Sequence, residues 1–240
     1  MKSIFYSIIS IPLLFLGSAC KKDVKEYKST ANVIAINAAI GAGSVKINVG
    51  STSGFYYAKA PDLAFGASSV NGAYTGSNML TVVSSTDTTK TLFTNQINLE
   101  PINTLYISGQ SPTIDTMLRA EKDFPYVQYA NINPDYSMYV RFVNLSPNST
   151  PLNINIKAAA TNEVTAMSYK GISVFKKYAA LTTTADYIFE VRDAATNAIL
   201  TTYTLSVANN RYKTVTLVIK GLVGTTTGAN AFGIFPVVYN

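Results

Sequence analysis

At 240 residues the chain is long enough for one large β domain or two domains of immunoglobulin size, and 48% hydrophobic against 13% charged residues excludes a disordered chain. Its net charge of +6 is spread along the sequence and not gathered into one stripe, so nucleic acid is excluded as a partner. Histidine is absent. The side chain most used as a neutral-pH proton shuttle and metal ligand is therefore missing, and the residues imply neither a cofactor nor a metal.

Residues 1–19 read as a signal peptide: Lys2 gives a basic start, Ile4 to Leu16 an apolar core, and Gly17, Ser18 and Ala19 a small-residue close. As a helix that core spans roughly 20 Å, well short of the ~30 Å hydrocarbon layer, which argues against a permanent span. The single cysteine, Cys20, follows at once. Leu16-Gly17-Ser18-Ala19-Cys20 resembles a bacterial lipobox, and the resemblance implies that the Cys20 thiol takes a diacylglycerol and becomes the new N-terminus. The membrane is then a partner through that anchor, each buried methylene contributing about 0.8 kcal/mol. With Cys20 lipidated, no disulfide can form. Residues 20–30 form a charged tether in which Lys22-Asp23 resembles the signal that sends Bacteroidetes-type lipoproteins to the outer face of the outer membrane. The expected location is the outer membrane at the cell surface, with its periplasmic face as the alternative.

Beyond the tether, short apolar runs separated by Thr, Ser, Asn, nine Pro and fourteen Gly predict an all-β protein. Strands are expected at Val33 to Ala38, Ser44 to Val49, Met79 to Ser84, Thr91 to Leu99, Asn103 to Gly109 and Thr116 to Glu121. Gly50 to Gly76 is expected to hold loops and short edge strands. Leu105 and Ile107 alternate with Thr104 and Tyr106, as in a strand with one wet face. Pro125 to Asp135 carries two prolines and predicts the linker. Tyr139 to Ile156, with its Ser-, Pro- and Asn-rich turn, predicts a β-hairpin. Further strands are expected at Tyr187 to Asp193, Ile199 to Val207, Val215 to Ile219 and Ala231 to Tyr239, with Ile199, Tyr203 and Leu205 on one face.

The Tyr139 to Ile156 pattern also stands in Val33 to Val49: Asn37 matches Asn144, and Val45, Ile47 and Val49 match Leu152, Ile154 and Ile156. The ends match too, Gly109 with Gly221. The chain is thus two copies of one β unit, residues 31–124 and 138–240 joined by a linker at 125–137. About seven strands per unit predict two tandem immunoglobulin-like β-sandwich domains, with an eight-stranded barrel per unit as the alternative. Val140-Arg141-Phe142-Val143-Asn144-Leu145-Ser146-Pro147, Leu152 to Ile156, Tyr169-Lys170-Gly171-Ile172-Ser173, Tyr187 to Asp193 and Thr214 to Lys220 resemble the bacterial domain-of-unknown-function 4397 family of tandem immunoglobulin-like lipoprotein domains. Over Val33 to Gly109, Ala38-Ala39-Ile40-Gly41 replaces the Ser-Pro turn and Phe65-Gly66 stands for the Tyr-Lys-Gly element. The resemblance implies fold and location and no catalytic residue.

No catalytic constellation emerges. Triads need a base, and only carboxylate pairs such as Asp186 with Glu190 or Glu121 with Asp123 remain. Glu190 shares a strand face with Arg192, which predicts a solvated cross-strand charge set. Tyrosine is the more informative residue at sixteen copies. Tyr56, Tyr57 and Tyr74 fall in the first unit's loops, and Tyr126, Tyr129 and Tyr136 are expected to line a cleft between the units. Asp87-Thr88-Thr89 and Asp115-Thr116-Met117 resemble the Asp-Thr-apolar sites that Bacteroidetes glycosylate, which makes Thr88 and Thr116 candidate O-glycosylation sites. The leading expectation is a non-catalytic, lipid-anchored surface protein that binds a glycan or a protein, or mediates adhesion. A periplasm-facing structural or assembly component is the alternative, and an accessory glycan-processing enzyme the third.

Overall fold

The computed structural model describes residues 29–50, 55–122, 124–125, 127 and 135–239. The fold among them is nearly all β, with one 3₁₀ turn, Tyr57–Lys59, and one short helix, α1 (Val207–Asn210). In the first unit the strands are β1 (Thr30–Asn37), β2 (Val45–Val49), β3 (Ala67–Tyr74), β4 (Gly76–Ser84), β5 (Thr91–Leu99), β6 (Ile102–Gln110) and β7 (Thr113–Ala120). In the second they are β8 (Ser137–Asn144), β9 (Leu152–Ile156), β10 (Asn162–Met167), β11 (Lys176–Ala179), β12 (Tyr187–Asp193), β13 (Ile199–Leu205), β14 (Thr214–Lys220) and β15 (Gly233–Tyr239).

Each unit is a two-sheet sandwich. The first packs the sheet β3-β1-β6-β7 on β2-β4-β5, and the second packs β11-β8-β14-β15 on β10-β9-β12-β13. The repeat therefore holds strand for strand, and β10 is the one strand without a counterpart. Inside the first sandwich Val33, Ala35, Leu105 and Ile107 meet Val45, Leu80, Val82 and Leu99. Inside the second, Val140, Phe142, Leu217 and Ile219 meet Leu152, Ile154, Phe189 and Val191. Burying each such side chain contributes about 1.5–3 kcal/mol, which is what lets these sandwiches dispense with disulfides.

The expected hairpins are not hairpins. β1 and β2 lie in opposite sheets, as do β8 and β9, so the turn between each pair carries the chain across the sandwich. The matched asparagines explain the crossing. Asn37 and Asn144 are both fully buried; Ala39 N donates to Asn37 Oδ1 at 3.0 Å and Ser146 N to Asn144 Oδ1 at 3.1 Å. Their Nδ2 groups donate to Leu63 O at 3.0 Å and Met167 O at 3.3 Å. Each side chain replaces ladder bonds that a hairpin would have made, and fixes the turn. β1 then pairs with β6 in parallel, and β8 with β14 likewise.

Two further expectations change. Gly50 to Gly76 does hold an edge strand, β3, but it is a single one of eight residues whose Ser, Asn and Gly content hides its bounds from an apolar-pattern reading. In β13 the partner of Val191 is Thr201 but that of Arg192 is Ile199, so Leu200 is a bulge residue. The bulge swaps the faces, leaving Ile199 half exposed and packing Leu200 against the core.

The larger correction concerns the space between the units. The outer faces of β3-β1-β6-β7 and β11-β8-β14-β15 are packed on each other through Ile36, Ala38, Tyr106, Val143, Leu145, Val218 and Val237, all buried. Thr104 and Tyr106 thus face the second unit and not water. The four sheets form four stacked layers, the two middle ones closed on each other through these buried side chains.

Candidate functional site

Three features could carry function: a buried ionic cluster at the seam, a tyrosine patch at one end of the second unit, and a groove on the first. In the cluster, Arg141 is 1% exposed and donates to both carboxylate oxygens of Glu121, from Nη1 to Oε2 at 2.8 Å and from Nη2 to Oε1 at 2.6 Å. Nε also donates to Thr216 Oγ1 at 2.9 Å, Nη2 to the Tyr106 hydroxyl at 3.0 Å, and the guanidinium stacks 4.4 Å from the Phe175 ring. Burial alone would raise the Glu121 carboxyl, but its hydrogen bonds and Coulomb attraction to Arg141, with the Thr104 hydroxyl, hold it below its ordinary value. Burial also pushes the Tyr106 hydroxyl up, keeping it neutral. Every group here is paired, and none lines the pockets described below. The cluster is a structural lock.

The other carboxylates singled out in the sequence are likewise occupied. Glu190 is buried and not solvated, because β12 lies between β9 and β13 and Arg192 closes over it, with Nη2 donating to Oε2 at 2.6 Å. Asp186 accepts from Val207 N at 2.8 Å at the start of α1. Asp123 lies outside the described residues. Among the described residues no three His, Cys, Asp or Glu side chains are grouped to hold a metal ion.

Of the sequence-predicted site residues, Cys20, Tyr126 and Tyr129 lie outside the described residues. Tyr136 precedes β8 and is half exposed, with its ring 5.9 Å from that of Tyr212 and the Arg211 guanidinium 5.9 Å from it. It lines a shallow pocket of about 520 Å³ with Lys177, Tyr178 and Leu181, wholly within the second unit. The groove that does run between the units, about 500 Å³, is walled by Ile34, Val70, Phe124, Val238 and Tyr239. Thr88 sits in the turn between β4 and β5, where Asp87 accepts from the Thr89 hydroxyl at 2.6 Å. Thr116 lies mid-strand in β7 with the parity of Ile114 and Leu118, which pack on the first core. A glycan at Thr116 would have to leave from that inward face.

The groove on the first unit is larger than either of these pockets, about 670 Å³. Its floor is Ile47 and Val49 of β2, one wall is Val70, Asn71 and Gly72 of β3, and the other is the segment carrying Phe55, Tyr56, Lys59 and Pro61. Tyr56 is 78% and Val70 70% exposed, an apolar rim at the mouth. Lys46 builds that second wall: its Nζ donates to Tyr57 O and Ala60 O, both at 2.9 Å, and pairs with Asp62 at 3.4 Å. These bonds hold the 3₁₀ turn over the outer face of β2. The aromatic run Phe55-Tyr56-Tyr57 was the sequence signal for this site, although nothing in its spacing revealed the groove beside it.

No family model and no curated protein matches the chain. Among solved structures, the chain resembles the Bacillus anthracis TIE protein at 9% identity and a TM-score of 0.24 over 81% of this chain. It spans about a third of that protein, 34%. A candidate adhesin from Bacteroides ovatus matches at 9% identity and TM-score 0.23, covering 89% of this chain and 96% of its own. A candidate cell adhesion protein from Parabacteroides distasonis matches at 8% identity and TM-score 0.24, covering 89% of this chain and 99% of its own. At such TM-scores the likeness carries no weight for function, which has to be read from the chain's own surface.

Proposed function

We propose that the chain is a non-catalytic, lipid-anchored binding protein of the bacterial envelope, held at the outer membrane through Cys20 and presenting its first sandwich to a protein or glycan ligand. The lipobox-like Leu16 to Cys20 supports the anchor, and Lys22-Asp23 supports the surface side. The observation that carries binding is the asymmetry between the two copies. The first unit leaves an aromatic-rimmed groove of about 670 Å³ where the matching seam of the second retains only about 60 Å³. Concave, largely apolar surfaces with a few polar groups are where ligands bind.

A second reading, assembly with another envelope chain, is favoured by the unpaired edge of β2 in the same groove. Protease shaving of intact host cells with a periplasmic control separates the two. Surface display predicts loss of this chain while the control survives, and survival of a chain that is cleavable once purified would overturn it. Replacing Cys20 by Ala should release the protein from the membrane fraction; retention would overturn the anchor.

A further inference from the structure

We infer that the groove's ligand is an extended polypeptide strand, added antiparallel to β2 beside Ile47 and Val49 in the place that β10 fills in the second unit. This rests on the reading of the chain as a binding protein, and it replaces "protein or glycan" by a polypeptide.

The two copies can be laid over each other residue by residue. Leu63 corresponds to Met167, since each gives its carbonyl to the matched asparagine and each pairs with the first residue of the next strand, Val45 or Leu152. Upstream of that point the copies diverge. In the second unit β10 runs back along β9, pairing Val164 with Ile154 and Asn162 with Asn155. In the first, Lys46 diverts the chain into the 3₁₀ turn. Val45 N and O both bond Leu63 across the edge, at 3.0 and 2.8 Å. Alternation along a strand points the N–H and C=O groups of Ile47 and Val49 to the same side, and no described strand pairs with them. A row of donors and acceptors that no described strand meets is a template for a strand.

Space and charge specify the occupant further. Tyr178, which closes the second unit's seam by donating to Glu163 Oε2 at 2.7 Å, has Ala73 as its counterpart in β3. A Val164-like aliphatic side chain opposite Ile47 fills the resulting room. On β10 the neighbouring Glu163 accepts from Lys176 at 2.6 Å. On the first unit the cation at the rim is Lys59, which has no ion-pair partner among the described residues. With a net charge of +6 on the whole chain, the fitting segment alternates aliphatic and acidic residues.

The test is selection of ten-residue peptides from a display library on the full-length chain in detergent, in parallel with a Val49→Pro variant. The Val49 N–H faces the free edge, so proline there removes a donor to the ligand without removing a bond to β4. The expected result is enrichment of alternating aliphatic and acidic peptides on the native chain only. Their binding should fall at least tenfold when the peptide is N-methylated at residues facing β2, should weaken with Lys59→Glu, and should slow amide exchange at Ile47 and Val49. Equal enrichment on the Val49→Pro chain, no enrichment at all, or Ile47 and Val49 amides as protected without peptide as Ile154 would each overturn the inference. Glycan-array binding that leaves those two amides unchanged would overturn strand addition while sparing the binding reading. An array without hits, together with failed selection, would overturn both.

Discussion

Arg141 is the largest side chain fully buried among the described residues, and its value depends on what it faces. A guanidinium taken out of water is tolerable only when its donors are met, as they are here by Glu121, Thr216 and Tyr106. Arg141→Met should therefore destabilise the chain by about 3 kcal/mol, chiefly because it leaves the buried Glu121 carboxylate only the Thr104 hydroxyl and the half-exposed Arg119, 3.5 Å away. The double change Arg141→Met with Glu121→Leu should return close to native stability, since a well-packed apolar pair often equals a buried ion pair. Urea midpoints at an unchanged slope would check both, and a double variant as unstable as the single one would show that packing and not charge sets the loss. The same pair fixes a pH dependence. The native carboxyl of Glu121 lies below its ordinary value of 4.5, so the unfolded state takes up the proton first as pH falls. Its stabilisation is complete above about pH 4.5 and is lost as pH falls through the lower native value. Glu121→Gln should flatten that acid limb in a series of midpoints against pH. Nothing in the sequence singled out Arg141, because its partner stands on the other unit and a residue's neighbours across a fold leave no trace in its own neighbourhood.

At the scale of elements, the strands were legible wherever apolar residues set the pattern and obscure where hydrogen bonding did. β5 falls on the residues the alternation predicts, whereas β3, built on Ser, Asn and Gly, is held mainly by its ladder to β1. The bulge at Leu200 and the sheet-crossing turns at Asn37 and Asn144 escaped for the same reason: two side-chain amides and one extra residue decide them, and neither disturbs hydrophobic periodicity. The paired glycines were legible as a repeat, and the structure supplies the cause. Gly221 has φ +83°, and an added Cβ would lie 2.1 Å from Ala231 O; at Gly109, with φ +88°, it would lie 2.6 Å from Thr113 O. Both sit where the chain turns into the last strand of a sandwich. Gly224 has a similar φ of +90° with nothing nearby, which makes it a control for conformational strain alone. Gly224→Ala should cost about 1–3 kcal/mol and Gly221→Ala clearly more, as read by thermal or chemical denaturation. Equal losses would mean that the chain yields at Ala231 without penalty.

For the molecule as a whole, the two copies meet as the halves of a symmetric dimer do. Lys220 lies 4.5 Å from the Phe65 ring, while the counterparts of those two positions, Ser108 and Tyr169, share a hydrogen bond of 2.9 Å in the opposite sense across the seam. Ile36 and Val143, themselves equivalent, both lie in the seam core. Apolar residues on both faces of β1 and β8 were the available sequence signal for this burial, since a strand with a wet face alternates. The seam should make unfolding cooperative across both sandwiches, so that calorimetric and van't Hoff enthalpies of the native chain agree. Val218→Asp tests the cause. Its side chain is fully buried in the seam but stands outside the second sandwich's own core, so an aspartate there must strand a charge between the units or part them. The expected trace has two transitions in place of one, with near-native secondary structure retained below the first. A single transition shifted down would instead mean that the sandwiches cannot stand apart, and two transitions in the native chain would mean that the seam never coupled them.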